Sequence, residues 1–287
     1  MRVLVTNDDG FDATGIGALV RALRSWADRA PDDEVRELIV VAPDTNYSGA
    51  SAAVGEVYSR DGIDYRRVEI QGAADIEAYA LDATPALCAI VGCLGFGRRP
   101  DVIVSGINLG VNVGRSVLHS GTVGAVLAGG QLGVSGLAVS MQSTRDAPLE
   151  VAAHVAVAVL DELVAAPPAT LFNLNVPALA QAQLKGVRRG RVSTAGIIRQ
   201  ATAVESSAHP GGLAVGDKAR LSLTLGSAVP QLGDVSDEDP DDDGALIAAG
   251  YASLTALRGV HEDTDTGADD YVRRALAAIE IHLASSA

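Results

Sequence analysis

Aromatic side chains are scarce in this chain, making up 3% of its 287 residues. The core must therefore be aliphatic, built from Val, Leu, Ile and Ala, and an apolar fraction of 48% is enough for a sizeable one. No apolar stretch reaches the ~18 residues that a membrane span needs. The most apolar helical segment, 151–166, is interrupted by His154, Asp161 and Glu162. The chain opens directly on a strand, with no room for a secretory leader, so a soluble cytoplasmic protein is expected.

Cysteine is equally sparse. Cys88 and Cys93 lie five apart in an apolar segment, with neither CxxC spacing nor neighbouring histidines, which excludes a zinc or dithiol centre. Buried, reduced thiols are expected instead. Positive charge is in short supply too. With 22 Lys and Arg against 36 Asp and Glu, the net charge is −14, and no basic footprint exists for a long nucleic acid. Half of that imbalance sits in 234–244, where seven of eleven residues are acidic. The run reads as a solvated, mobile loop, because its glycine and glutamate spacing does not fit a calcium-binding loop. No GxGxxG follows the first strand, which argues against a dinucleotide site.

Alternating strands and helices fill the first half. After a strand at 3–5, helical spacing covers 15–30 and a strand covers 36–42, stopped by Pro43. A helix at 84–96 accepts Pro85 in its first turn. Then come a strand at 101–105, a helix at about 121–132, a strand at 136–141, a helix at 149–165 and a strand at 170–176. This alternation predicts an α/β, Rossmann-like, mostly parallel doubly wound sheet with helices on both faces. Residues 185–230 alternate polar and apolar positions around 219–225, as an antiparallel hairpin arm would, with a turn at His209–Gly212. The segment 250–257 reads as a late strand and 268–284 as a terminal amphipathic helix. No linker or repeat divides the chain. One domain is expected over 1–287: a core of about 1–185 plus 245–260, an arm over 186–244, and the terminal helix.

The chemistry concentrates where the first strand ends. Val3, Leu4 and Val5 run into Asn7-Asp8-Asp9-Gly10. A parallel strand delivers such residues to the carboxyl edge of the sheet, where open α/β folds place ligands. Two adjacent carboxylates repel each other and resist burial unless a cation neutralises them. A divalent-metal site is the simplest account. Three more polar segments follow predicted strands: 42–51 (APDTNYSGAS), 105–114 (SGINLGVNVG) and 119–124 (HSGTVG). Their oxygen-rich chemistry suits Mg²⁺ or Mn²⁺ over zinc or copper. Ser120-Gly121-Thr122 opens a helix, where free N–H groups and hydroxyls attract an anion. A metal beside an anion cradle is the layout of phosphate ester hydrolysis.

In this order NDDG, APDTNYSGAS, SGINLGVNVG, SGTVGA and FNLNVP resemble the SurE (survival protein E) nucleotidases over residues 1–177, with GYASLTAL and the terminal helix similar to the family's carboxyl-terminal part. The resemblance implies a metal-dependent phosphohydrolase acting on nucleoside 5′- and 3′-monophosphates, with one divalent ion per subunit. It also implies homodimers or homotetramers joined through the arm and exchanged carboxyl-terminal segments. By motif, Asp8, Asp9, Ser48 and Asn108 match the metal site, and Asp8, Asp9 and Asn108 the catalytic positions. Asn7, Asn112, Ser120, Gly121 and Thr122 match the phosphate side. Three segments depart from the family pattern. Leu87 stands where Gly-Thr-Pro-x-Asp-Cys has its aspartate, His119 replaces a tyrosine, and Ala128-Gly129-Gly130-Gln131 replaces a Glu-Gly-Arg-like stretch. Two rival readings attach to the same residues. One is a nucleotide-binding protein of this fold without turnover. The other is a phosphatase with an aspartyl nucleophile, whose Asp-x-Asp pattern the adjacent pair Asp8-Asp9 does not match.

Overall fold

Strand β1 (Arg2–Thr6) is buried throughout and lies inside the sheet, with a strand on either side. The computed structural model describes residues 1–55, 57, 61–194, 198–205, 221–227, 239–260 and 274, with backbone alone over 198–205 and 221–227. Around β1 run β2 (Glu37–Pro43), β3 (Tyr65–Arg67), β4 (Glu77–Leu81), β5 (Val102–Leu109), β6 (Ser135–Met141), β7 (Leu171–Val176), β8 (Val187–Arg189) and β11 (Ala252–Leu257). They form one nine-stranded sheet in the order β3-β4-β2-β1-β5-β6-β7-β11-β8. From β4 through β7 every neighbouring pair is parallel, while β3 and β11 run antiparallel to β4 and β7. The chain moves outward from β1 to β2 and β4, then returns to add β5, β6 and β7 on the other side. The order therefore reverses between β1 and β5, and a crevice opens there at the carboxyl ends of the strands.

Because side chains alternate across a strand, β1 feeds two cores. Val3 and Val5 pack with Leu19 and Leu23 of α1 (Thr14–Ala27) and Leu160 of α4 (Leu149–Ala165). Leu4 packs on the opposite face with Leu87 and Cys88 of α2 (Pro85–Leu94) and Val123 and Val126 of α3 (Gly121–Gln131). Each such side chain, fully buried, contributes roughly 1.5–3 kcal/mol. Both cores are almost wholly aliphatic, and both cysteines are buried and unpaired. Among the described residues, no helix is long and apolar enough to cross a membrane.

Helices and strands of the first half fall within a few residues of the expected spans, the largest difference being β5, expected over 101–105, which runs on to Leu109. Three features differ from the sequence reading. Strands β3 and β4 extend the sheet, although 65–67 is largely polar and the short run 77–81 carries alanines in place of β-branched residues. The arm was expected from residue 186, yet β8 pairs in parallel with β11 within the main sheet. Buried β11 has two edges to satisfy, and β7 covers only one of them. The hairpin itself is β9 (Ile198–Glu205) and β10 (Leu221–Ser227), antiparallel as expected. Its turn at 209–212 lies outside the described residues.

The third difference concerns the acidic run, whose end is not solvated: Asp243 is fully buried at the first turn of α5 (Asp243–Ala248). A carboxylate is tolerated there because backbone N–H groups surround it. Residues 234–238 lie outside the described residues, as does the expected terminal helix over 268–284 apart from Arg274.

Candidate active site

The loop after β1 is held from three directions. Within it, the Asn7 side-chain amide donates to the Gly10 carbonyl at 2.7 Å and closes the turn. The Asp8 carbonyl accepts the Tyr47 N–H at 2.7 Å, and the Pro43 carbonyl accepts the Phe11 N–H at 2.9 Å, which clamps the loop to the one after β2. The loop after β5 arrives on the other side. Between β5 and β6 the register shifts from Ser105↔Ala138 to Asn108↔Ser140, so β5 carries one extra residue. Such a bulge re-aims the side chains that follow, here Asn108. Gly106 permits it: at φ +140° it lies against the Val139 carbonyl, where a side chain would collide.

Asp8 is 3% exposed and points at the start of α3. Its Oδ1 accepts the Thr122 hydroxyl at 2.7 Å, and the Gly121 and Thr122 N–H groups bond the same carboxylate. Burial pushes the Asp8 carboxyl above its ordinary value, against the lowering effect of these donors. Gly121 is required by this approach, since an added Cβ would sit 2.8 Å from Asp8 Cβ and 2.9 Å from Oδ2. Ser120, at the N-cap of the helix, accepts the Val123 N–H at 3.1 Å, and its carbonyl accepts the Gly124 N–H at 2.9 Å. The first turn expected to cradle an anion thus holds the carboxylate of Asp8 itself.

Asp9 is less buried. Its Oδ1 accepts the Asn46 side-chain amide at 3.1 Å, and the Leu109 N–H also bonds its carboxylate. Burial and the neighbouring charge of Asp8 both raise the Asp9 carboxyl, with the Leu109 and Asn46 donors opposing them. Asn46 also accepts the Ser48 N–H at 2.8 Å, so it links Ser48, whose side chain is exposed, to Asp9. Asn108 donates its side-chain amide to the Gly110 carbonyl at 2.6 Å, which engages its nitrogen. Hydrogen bonds therefore join Asp8, Asp9, the 120–122 turn, the loop carrying Ser48, and the residue that follows Asn108. These groups fit a hard cation. Two adjacent carboxylates are both raised, so each lacks a compensating positive charge, and the other oxygens nearby are hydroxyl and amide. Among the described residues no group of three or more His, Cys, Asp or Glu forms a ligand cluster, so neutral oxygens must complete any coordination.

Asn112 belongs to a second network. Its N–H donates to Asn175 Oδ1 at 2.7 Å and its side-chain amide to Ser140 Oγ at 2.7 Å. Asn173 and Asn175 donate to the Asn112 carbonyl at 2.8 and 3.0 Å. Both lie on one face of β7, and their alternation in Phe172-Asn173-Leu174-Asn175 was the available signal. Sequence reasoning gave them no role, nor Asn46.

The sequence pattern of the family described as Survival protein SurE matches residues 3–199. The chain belongs to the SurE family. It is 36% identical to the 5′/3′-nucleotidase SurE of Cronobacter sakazakii over 286 residues, covering 98% of this chain and 99% of that protein. It is also 36% identical to the 5′-nucleotidase SurE of Chloroflexus aggregans over 264 residues, 90% of this chain and 93% of the relative. The crystal structure of the Sure protein from Aquifex aeolicus shares the fold, with a TM-score of 0.69 at 24% identity over 98% of this chain and 100% of that one.

Packing explains where two departures from the SurE pattern fall. Leu87 is buried in the core beside Leu4 and Cys88. In the 128–131 stretch, a Cβ on Gly129 would meet the terminal methyl of Ile103 and one on Gly130 those of Leu171, so either side chain would have to shift. His119 is exposed, with its carbonyl accepting the Ser51 N–H at 3.3 Å.

Proposed function

We infer that this SurE-family chain is a 5′/3′-nucleotidase that removes phosphate from nucleoside monophosphates, with Asp8 and Asp9 at its catalytic centre. One observation carries the assignment of the site. The adjacent carboxylates Asp8 and Asp9, at the end of β1, stand at the sheet's point of reversal and are bonded to the loops after β2 and β5 and to α3. Near full-length relatives named as nucleotidases support the activity.

Asp8, Asp9, Ser48 and Asn108 would hold one divalent ion, Mg²⁺ or Mn²⁺. When bound, such an ion supplies Lewis-acid activation of water and balances charge on the phosphoryl group. The chain's own residues do the rest. Thr122 and the α3 N-terminus orient Asp8 and partly offset its burial, because the helix dipole and three donors favour the charged form. Asp9, the more open of the two, accepts the proton of the attacking water. Asn46 and the Leu109 N–H orient it for that step. Asn112, immobilised by Ser140, Asn173 and Asn175, orients the phosphate, while Asn7 and the Ser120–Thr122 turn keep the loop and Asp8 in place. The hairpin arm and the carboxyl-terminal segment serve a homodimer or homotetramer.

The test is phosphate release from a panel of 5′- and 3′-nucleoside monophosphates with Mg²⁺ or Mn²⁺, beside p-nitrophenyl phosphate. Hydrolysis of the nucleotides with the higher kcat/KM is expected. Hydrolysis of p-nitrophenyl phosphate alone would assign the site to other phosphomonoesters.

A further inference from the structure

Asp243 stands outside the site just described and is the most elaborately held acid away from it. Its side chain is 0% exposed. Both oxygens accept the Gly114 N–H, at 3.0 and 2.9 Å, and Oδ1 also accepts the N–H groups of Ser193 at 3.3 Å and Gly244 at 2.9 Å. Its own N–H donates to the Arg191 carbonyl at 2.8 Å. No buried cation accompanies it among the described residues; backbone dipoles alone balance the charge. Gly190 packs against it, with an added Cβ 3.3 Å from Asp243 Cβ. Gly114 stands two residues after Asn112 and begins the 3₁₀ turn (Gly114–His119) that delivers Ser120 to the start of α3. Ser193 lies on the segment that leads to the β9–β10 hairpin.

We propose that Asp243 is a positioning residue for the nucleotidase site, fixing the 110–119 loop at Gly114 so that Asn112 on one side and the α3 start on the other keep their places. This rests on the reading of Asn112 as the residue that orients the phosphate. The loop has a second anchor in Asn173 and Asn175, but both grip Asn112 itself. Asp243 holds the beginning of the next turn at Gly114, while Ser51 holds its far end by donating to the Leu118 and His119 carbonyls. The same carboxylate ties that turn to the root of the hairpin through Ser193.

The variant Asp243→Asn keeps the shape but puts an N–H₂ where one oxygen meets the Gly114 N–H. A loosened Asn112 loses contact with substrate and transition state alike, so KM for the nucleotide rises about tenfold with kcat per folded enzyme within about twofold. A merely structural role lowers the folded fraction or the Tm and leaves KM where it was, and that result overturns the proposal. Amide exchange separates this from the functional reading. Faster exchange over 110–119 in Asp243→Asn, with the central strands unchanged, supports the positioning role even if no nucleotide is hydrolysed by the wild type. Unchanged exchange there refutes it whatever the activity. Should Asp243→Asn not fold, the wild type still decides: the Gly114 amide must exchange as slowly as a strand amide, and fast exchange overturns the proposal.

Discussion

Replacing Thr122 by valine tests how Asp8 is kept ready. The side chain is fully buried, so the isosteric swap leaves no cavity and exchanges one hydroxyl for a methyl. What is lost is a 2.7 Å hydrogen bond to a carboxylate. Bonds to charged groups contribute about 1.5–3 kcal/mol, and at roughly 2–4 °C per kcal/mol the Tm should fall by about 3–12 °C. The direction with pH is also fixed. The Asp8 carboxyl is raised above its unfolded value, so its ionisation weighs against the fold, fully above the folded pKa and not at all below the unfolded one. Thr122 opposes that shift, and its loss moves Asp8 further up. The stability deficit of Thr122→Val should therefore be larger at pH 8 than at pH 4, and the acid limb of nucleotidase activity should move to higher pH. Thermal melts at both pH values and a kcat/KM profile read these effects. An unchanged Tm at pH 8 together with an unmoved acid limb would refute the assigned role of Thr122.

Two further outcomes follow from buried groups. Asp243 is pushed up to about 6 by burial, against the lowering effect of its N–H donors. Between the ordinary carboxylate value and about 6 the native state holds a proton that the unfolded chain has released. Stability should fall as pH rises through that window, and Asp243 should supply about 2 kcal/mol of the decrease between pH 4.5 and 7, absent in Asp243→Asn; urea midpoints at the two pH values measure it. Burial also raises both thiols, Cys93 to about 11, so neither should react with a disulfide reagent at pH 8 until the protein is unfolded, when two equivalents appear.

Long periodic segments declared themselves in the sequence, because each spends its apolar residues on one or two buried faces. Val3-Leu4-Val5 is the clearest case, a continuous apolar run feeding both cores. Strand β3 did not, since all three of its residues are exposed at the sheet's edge and its pairing is a backbone matter. The carboxylate pair was legible because two acids at the end of a buried strand have little to do there except meet a ligand. The partners of that pair were not. Asn46 reaches Asp9 from 37 residues away and Thr122 reaches Asp8 from 114. Only tertiary closure reveals that the α3 start meets a side chain of the protein. Asp243 was hidden by its company: seven acids within eleven residues average to a solvated loop, and the one that turns inward looks no different.

Metal-dependent hydrolysis of AMP by the wild type and Asp8→Asn, each assayed with Mn²⁺ and with excess EDTA, bears most directly on the claim that the carboxylate pair runs the chemistry. The account predicts phosphate release by the wild type with Mn²⁺, its loss in EDTA with recovery on adding the ion back, and a fall of about 10²-fold or more in Asp8→Asn. Full activity in excess EDTA, or undiminished turnover by Asp8→Asn, would contradict it.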